Sequence, residues 1–459
     1  MNKKKLLLGF LVILPLLAGL ACRLPFIGRF FPAEPVVEEI VVEESSPEVP
    51  VIEEIDEVPE ETQALASEYL TMPKETFWVQ TEDQVFAAFF FENPNRDILI
   101  EDVEYTISFY DSSQVELLSE TYYLRSILPG QVVGIPGTYY LESENDLVDS
   151  VSVDWQYESA SAAADATNPF VISKTVFWPN ANYPIVSGII SNNAASTFTD
   201  VQTNIICYNS AGEIVGGGYT FVNFVRGNDY TGFSTYVDVF DEVASVEVFP
   251  MSTYITSEYP GADYWSDISV FEDNFYPGDY GNIIGGFVVQ NNTDAVLGNS
   301  MVQVVFFDEA GYVTAIGTQL IDILLPGEVQ GVSPWIISPP EGAETNNYDV
   351  WVLPGERLDT YEFLENPFVV TDASISGDFL YYVDVTLTNT YTKQVSEVDV
   401  TVLLYDADGT IIGGGTSWSS EPTPPGGSTT VEVWVDYGSS RVIDSIKVWV
   451  TPSYWTEYE

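Results

Sequence analysis

The sequence predicts an all-β chain of four tandem sandwich domains, placed behind an export signal and an acidic spacer. Three observations carry this. Strand-forming residues alternate with period two between Gly- and Pro-marked turns, one strand-turn-strand unit recurs four times at nearly constant spacing, and no amphipathic helical run of useful length occurs. The 459 residues include 33 Gly, 27 Pro and only 14 Lys plus Arg, and Val, Ile, Thr and aromatic residues are abundant. A chain of this length exceeds one ordinary core and suits several domains of about 100 residues each.

The recurring unit is clearest at residues 398–415, VDVTVLLYDADGTIIGGG. Val398, Val400, Val402 and Leu404 share one face, with Asp399, Thr401 and Leu403 on the other, the pattern of a half-buried strand. Asp406 and Gly409 form the turn that follows: aspartate caps it through its side chain, and glycine accepts a positive φ. Aligning the copies on the strand's last aromatic places Tyr110, Tyr208, Phe307 and Tyr405 at separations of 98, 99 and 98 residues. Asp111, Asn209, Asp308 and Asp406 come next, then Gly212, Gly311 and Gly409 three residues further on, where the first copy has Gln114. Upstream by 16 or 17 residues lie Asn93, Asn192, Asn291 and Asn389, each read as a turn residue. So long a period denotes separate domains rather than a solenoid.

Copies two and four share Asn-Pro-Phe-Val (168–171 and 366–369) and a hairpin return ending in three glycines (216–218 and 413–415). Copies one and three share a Leu-Pro-Gly stretch (128–130 and 325–327). A duplicated two-domain unit, in A-B-A-B order, accounts for both. Each copy offers about seven short strands in about 90 residues, the pattern of an immunoglobulin-like sandwich, with a small barrel as the alternative. The predicted domains span 66–157, 166–252, 263–354 and 366–455, after a signal peptide at 1–22 and a disordered Pro/Glu-rich spacer at 23–65.

Charge and composition exclude several functions. The net charge is −55, and five of the 14 basic residues fall within 1–31, so nine face 69 carboxylates in the remainder, a net −60. Such a surface repels phosphate backbones and anionic headgroups, which excludes nucleic acid as a partner. Histidine is absent, which removes histidine triads and most transition-metal sites. Two cysteines, Cys22 and Cys207, cannot form a disulfide framework.

Residues 1–22 combine a basic start, an apolar run from Leu6 to Leu17 and small residues before Cys22, the organisation of an export signal. Ala18-Gly19-Leu20-Ala21-Cys22 resembles a bacterial lipobox, which implies lipid attachment at Cys22 and a membrane as partner. Gly19 and Leu20 depart from its usual residues. Gly19 and Ala21 equally suit an ordinary signal peptidase cutting at the same bond, and an uncleaved anchor is the third reading. All three export the chain. Residues 32–62 carry twelve acids, no base and repeated prolines, an extended tether reaching roughly 90 Å at ~3 Å per residue.

The sequences Phe109-Tyr110-Asp111, Phe306-Phe307-Asp308 and Leu404-Tyr405-Asp406 resemble the repeated motif of FxLYD-type domains, small immunoglobulin-like modules of bacterial envelope proteins. Cys207-Tyr208-Asn209 departs most. The resemblance covers about residues 66–455 and implies a β-sandwich surface lipoprotein; it brings no catalytic residues.

Among candidate sites, Cys207 takes the position of Phe109, Phe306 and Leu404, which places it inward as a structural thiol. Asp406-Ala-Asp408-Gly409 faintly resembles a calcium loop but lacks the third acid and closing glutamate, and a turn explains it without metal. Trp351 and Trp449 alternate with valines in closing strands, so their rings are expected to leave their own core, either to stack on a ligand or to pack between adjacent domains. Trp78, Trp178, Trp265, Trp335, Trp418 and Trp455 are placed in loops or near strand ends. Nothing singles out one carboxylate pair for hydrolysis. No catalytic residue, metal or cofactor is assigned. The expected function is a noncatalytic, lipid-anchored cell-surface protein for adhesion, envelope assembly or protein interaction, with glycan binding and hydrolysis as alternatives.

Overall fold

The computed structural model describes residues 70–72, 76–179, 183–259, 265–359, 361–376, 381–438 and 440–453. The expectations for Cys22, the export signal, the spacer and Trp455 lie outside these residues. The described chain is all-β, 65% strand, with one short 3-10 turn at Trp265–Asp267 and no α-helix among the described residues.

Strands β1 (Phe77–Thr81), β2 (Gln84–Glu92) and β5 (Val132–Tyr140) form a sheet in the order β1-β2-β5. It packs against β3 (Ile98–Tyr110), β4 (Glu116–Ile127) and β6 (Ser150–Ala162), ordered β4-β3-β6, around Phe89, Phe91, Ile107 and Phe109. The same order returns in β7 (Phe170–Trp178), β8 (Ile185–Asn192) and β11 (Asp229–Tyr236) against β9 (Thr197–Tyr208), β10 (Ile214–Val225), β12 (Asp238–Val239), β13 (Ser245–Met251) and β14 (Glu258–Tyr259). It returns again in β15 (Ile268–Pro277), β16 (Ile283–Asn291) and β19 (Val329–Val332) against β17 (Val296–Phe307), β18 (Val313–Leu324), β20 (Trp335–Ile337), β21 (Asn347–Leu353) and β22 (Glu356–Leu358). The last group is β23 (Phe368–Ser376), β24 (Tyr381–Asn389), β25 (Val398–Tyr405), β26 (Ile411–Ser419), β27 (Ser428–Tyr437) and β28 (Ser445–Pro452).

Six strands, not about seven, complete the first and last groups. In the last group one strand serves both layers. β27 pairs with β24 from Ser428 to Val435, then Asp436 and Tyr437 pair with Gly414 and Gly413 of β26. β26 can approach so closely because it lacks side chains there: a Cβ on Gly415 would lie 1.9 Å from the Trp434 carbonyl oxygen.

The predicted turn is present four times. Asp406 Oδ1 accepts the amides of Asp408 and Thr410 at 3.0 and 2.9 Å, Asp111 Oδ1 those of Ser113 and Val115, Asn209 Oδ1 those of Ala211 and Glu213, and Asp308 Oδ1 that of Tyr312. Gly212, Gly311 and Gly409 have φ of 78°, 77° and 78°, and Gln114 is held at 60° in the same role. A left-handed non-glycine costs about 1–2 kcal/mol. Gln114→Gly is therefore expected to stabilise the first group by about 1 kcal/mol in urea unfolding, even after glycine's added unfolded-state entropy is subtracted.

One expectation is corrected by packing. β25 is not half-buried. Val398, Val400, Val402 and Leu404 enter one core, while Leu403 and Tyr405 on the opposite face are buried against Val288, Ile411 and Trp449. The second face is covered by the preceding group of strands.

Candidate functional site

Successive groups meet sheet against sheet, through one recurring contact. Gly134, Gly232 and Gly331 lie on β5, β11 and β19, and a Cβ there would meet Ile206 at 3.1 Å, Val305 at 2.4 Å and Leu403 at 3.1 Å. Polar side chains set the register across two of these junctions. Asn204 Nδ2 donates to the Gly134 carbonyl at 2.9 Å, and Gln303 Nε2 to the Gly232 carbonyl at 3.0 Å. Both amides are buried, so each unmade bond would cost the desolvation of its partner.

The two predicted stacking tryptophans serve these junctions. Trp351 is 7% exposed and packs edge-on to Tyr230 of β11, with ring centroids 5.7 Å apart. Trp449 is half-buried, and its ring lies 2.5 Å from where Gly331 would carry a Cβ. Both rings do leave their own core; the neighbouring sheet covers that of Trp351, whereas Trp449 is only partly covered. Trp78 packs on the first core, Trp178 Nε1 donates to Ser187 Oγ at 3.0 Å, and the Arg226 guanidinium lies 3.9 Å from the Trp265 ring centre. Cys207 is buried, and burial pushes its thiol up to about 12.

Open aromatics occur elsewhere. Trp335 and Trp434 are 63% and 57% exposed, and both line a cleft of about 660 Å³ between the third and fourth strand groups. β18 contributes Asp322, β25 contributes Asp399, and β27 contributes Asp436. Alternation explains why these side chains point there: in Val431-Glu432-Val433-Trp434-Val435 the valines enter the core and the intervening residues turn outward. That pattern could have revealed Trp434, which the sequence reading passed over. Asp322 and Gln330 carry no comparable signal, because the junction that assembles them is not local in sequence.

The cleft wall is rich in hydrogen-bond acceptors. Gln330 is 5% exposed; its Nε2 donates to Thr451 Oγ1 at 3.2 Å, and its Oε1 has no partner. Gln319 Oε1 and Asn282 Oδ1, also on the wall, are buried without a partner as well. No Lys or Arg lines the cleft.

Burial, then Asp322, then Glu397 push the Asp399 carboxyl up to about 7. Burial pushes Glu328 up to about 7, although its Oε2 accepts the Leu325 amide at 2.8 Å. Between the ordinary carboxylate range and pH 7 the folded chain thus holds protons that the unfolded chain has released. Stability is therefore expected to fall as pH rises from about 4 to about 7 at these two sites. Urea midpoints measured across that range should show this slope, and Asp399→Asn should flatten it. No set of three or more acidic or cysteine side chains suited to a metal occurs among the described residues.

No protein-family model and no curated protein matches the chain. Among solved structures it is similar to the C-terminal globular domain of an oligosaccharyltransferase from Pyrococcus abyssi, at 7% identity and a TM-score of 0.13, over 63% of this chain and 76% of that one. It is also similar to Salmonella alpha-2-macroglobulin reacted with methylamine, at 10% identity and a TM-score of 0.12, over 80% of this chain and 28% of that one. Likenesses this slight carry no argument about fold or function.

Proposed function

We propose that this is a noncatalytic, exported surface protein: four immunoglobulin-like β-sandwich domains in A-B-A-B order, held to a membrane by lipid on Cys22 and serving interaction rather than turnover. The observation that carries it is the repeated sheet-against-sheet junction, which joins the copies into one recognition body and at two of its three occurrences packs an outward tryptophan, Trp351 or Trp449. The pairing of copies has support at side-chain level. Gly217 abuts Pro136, and Gly414 abuts Ser333, the same contact displaced by 197 residues in both members, whereas the corresponding position in the third copy is the bulkier Ile316. The FxLYD-type resemblance and the lipobox-like residues before Cys22 point to the envelope.

Radioactive fatty-acid labelling of expressing cells tests the anchor: label is expected on the wild type and lost in Cys22→Ala. Label retained by the variant, or absent from both, sinks the lipoprotein reading. Glycan binding is the second reading. The open rings of Trp335 and Trp434, rather than the covered ring of Trp351, favour it, and saturable binding on a glycan array would support it.

A further inference from the structure

We infer that the outer face of β4-β3-β6 and the outer face of β23-β24-β27 are disabled halves of the junction, altered so that a second copy of this chain cannot add end to end. The inference stands whether or not Cys22 carries lipid. Its first support is positional. Four residues before the aligned aromatics, Asn204, Gln303 and Thr401 face a junction, and the closing strand sets Phe249, Trp351 and Trp449 opposite them. The same ladder position in the first group is Thr106 opposite Asp154. Two residues before the aromatics, the buried Ile206, Val305 and Leu403 give way to Ser108. The first face has thus lost both the aromatic and the aliphatic side chain that the junctions bury.

The receiving half is blocked differently. Three residues before the aligned asparagines, Phe90, Ile189 and Val288 pair with Gly134, Gly232 and Gly331, whereas Thr386 pairs with Thr430. A Cβ on Gly134 would lie 2.8 Å from the Phe249 ring, and one on Gly331 2.5 Å from that of Trp449, so the junction admits no side chain there. Thr430 is exposed and places a Cβ, a hydroxyl and a methyl group where an incoming ring would sit. Loss of the inserted side chains disables one end, and a filled glycine position the other.

Charge and hydrogen bonding reinforce both blocks. Glu104 and Asp154 lie on one outer face, and Asp372, Asp384 and Glu432 on the other. β3, β6, β23, β24 and β27 contain no Lys or Arg, and Arg125 of β4 already donates to the Thr256 carbonyl at 3.1 Å. Docking one end on the other would therefore press like charges together. The polar groups are also served within their own sheets: Gln156 Nε2 donates to Glu104 at 2.8 Å, Ser108 pairs with Ser119, and Ser376 Oγ donates to Asp384 at 3.0 Å. A second copy would strip water from the carboxylates and bring them no new donors.

The test is sedimentation velocity of the full chain in about 0.15 M salt, where repulsion beyond ~8 Å is screened. Cys22→Ala is present throughout, so that no lipid drives association. One variant restores the first face with Ser108→Ile and Asp154→Phe. A second restores the last face with Thr430→Gly, Asp384→Ser and Glu432→Ser, taking the residues that the second group has at Gly232, Ser187 and Ser234. Each variant alone, like the parent chain, is expected to remain monomeric, and their equimolar mixture to dimerise with an association constant at least about tenfold above that of either. A chain carrying all five substitutions should build open head-to-tail oligomers, because its two restored faces are different surfaces. A mixture that stays monomeric, a parent chain that associates as strongly as the mixture, or a single-face variant that does so would overturn the inference. Asp154 is exposed, so Asp154→Phe alone, mixed with the last-face variant, keeps the test decisive should Ser108→Ile disturb the Ser119 pair.

Discussion

Asn389→Ala is expected to destabilise the fourth strand group by about 2–4 kcal/mol, measured by urea unfolding followed through tryptophan fluorescence. Asn389 is fully buried, yet it meets every demand placed on its amide. Nδ2 donates to the carbonyls of Lys393 at 2.9 Å and Thr423 at 2.7 Å, and Oδ1 accepts the Tyr391 amide at 2.8 Å. One side chain thus ties the end of β24 to backbone on either side of β25 and β26. Alanine would strand two buried carbonyls and an amide. The same arrangement recurs at Asn93 (Ile98 and Ile127 carbonyls), Asn192 (Ser196 and Val225) and Asn291 (Ala295 and Leu324), so each equivalent substitution should cost a similar amount in its own group. Asn389→Asp should be no better tolerated at neutral pH, because a carboxylate retains the acceptor but loses both donors and brings a buried charge. A loss below about 0.5 kcal/mol would show that the clamp is dispensable.

The junctions provide the second large effect. Gly232→Val is expected to cost about 1–3 kcal/mol, because its Cβ alone would lie 2.4 Å from Val305 Cγ1, and Val305 is fully buried. Val305→Ala made alone should also destabilise, through lost packing. Combined with Gly232→Val it should return part of the loss, since the two side chains compete for one volume. A double-mutant cycle measures this directly: additive losses would mean that the two residues do not share a contact.

Much of the fold was legible because its signals are local. Period-two alternation gave the strands, and the Asp or Asn with glycine three residues later gave the turns, whose backbone angles match in all four copies. Burial of Cys207 followed from alignment alone. Less legible was what depends on contact between distant segments. The four asparagines mark turns in the sequence, but their carbonyl partners lie up to 34 residues away. The strands of Leu403 and Trp351 cannot announce that another sheet will cover these residues. Asp102, Asp200, Asn299 and Glu397 share a left-handed backbone, φ 52–61°, eight residues before the aligned aromatics, yet share no single residue type. The cleft was hidden for the same reason: its acids and amides come from four strands and the turn before β16, and only the junction brings them together.

The faces at the two extremes differ from those between. The outer side of β3 carries Glu104, Thr106 and the buried Ser108, with Thr106 and Ser108 bonded to Thr121 and Ser119 of β4 at 2.8 Å. At the other extreme, Thr386 and Thr388 of β24 are bonded to Thr430 and Ser428 of β27. Inner faces such as Phe86, Ala88 and Phe90 are instead apolar and fully covered. During synthesis, then, the first group cannot finish alone: its oily side stays wet until the next hundred residues arrive to cover it, and the same debt passes along to the third. Only the fourth closes with a surface that water accepts. Folding should accordingly wait for the chain's far end, and a chain cut short at any junction should aggregate rather than persist as a smaller protein.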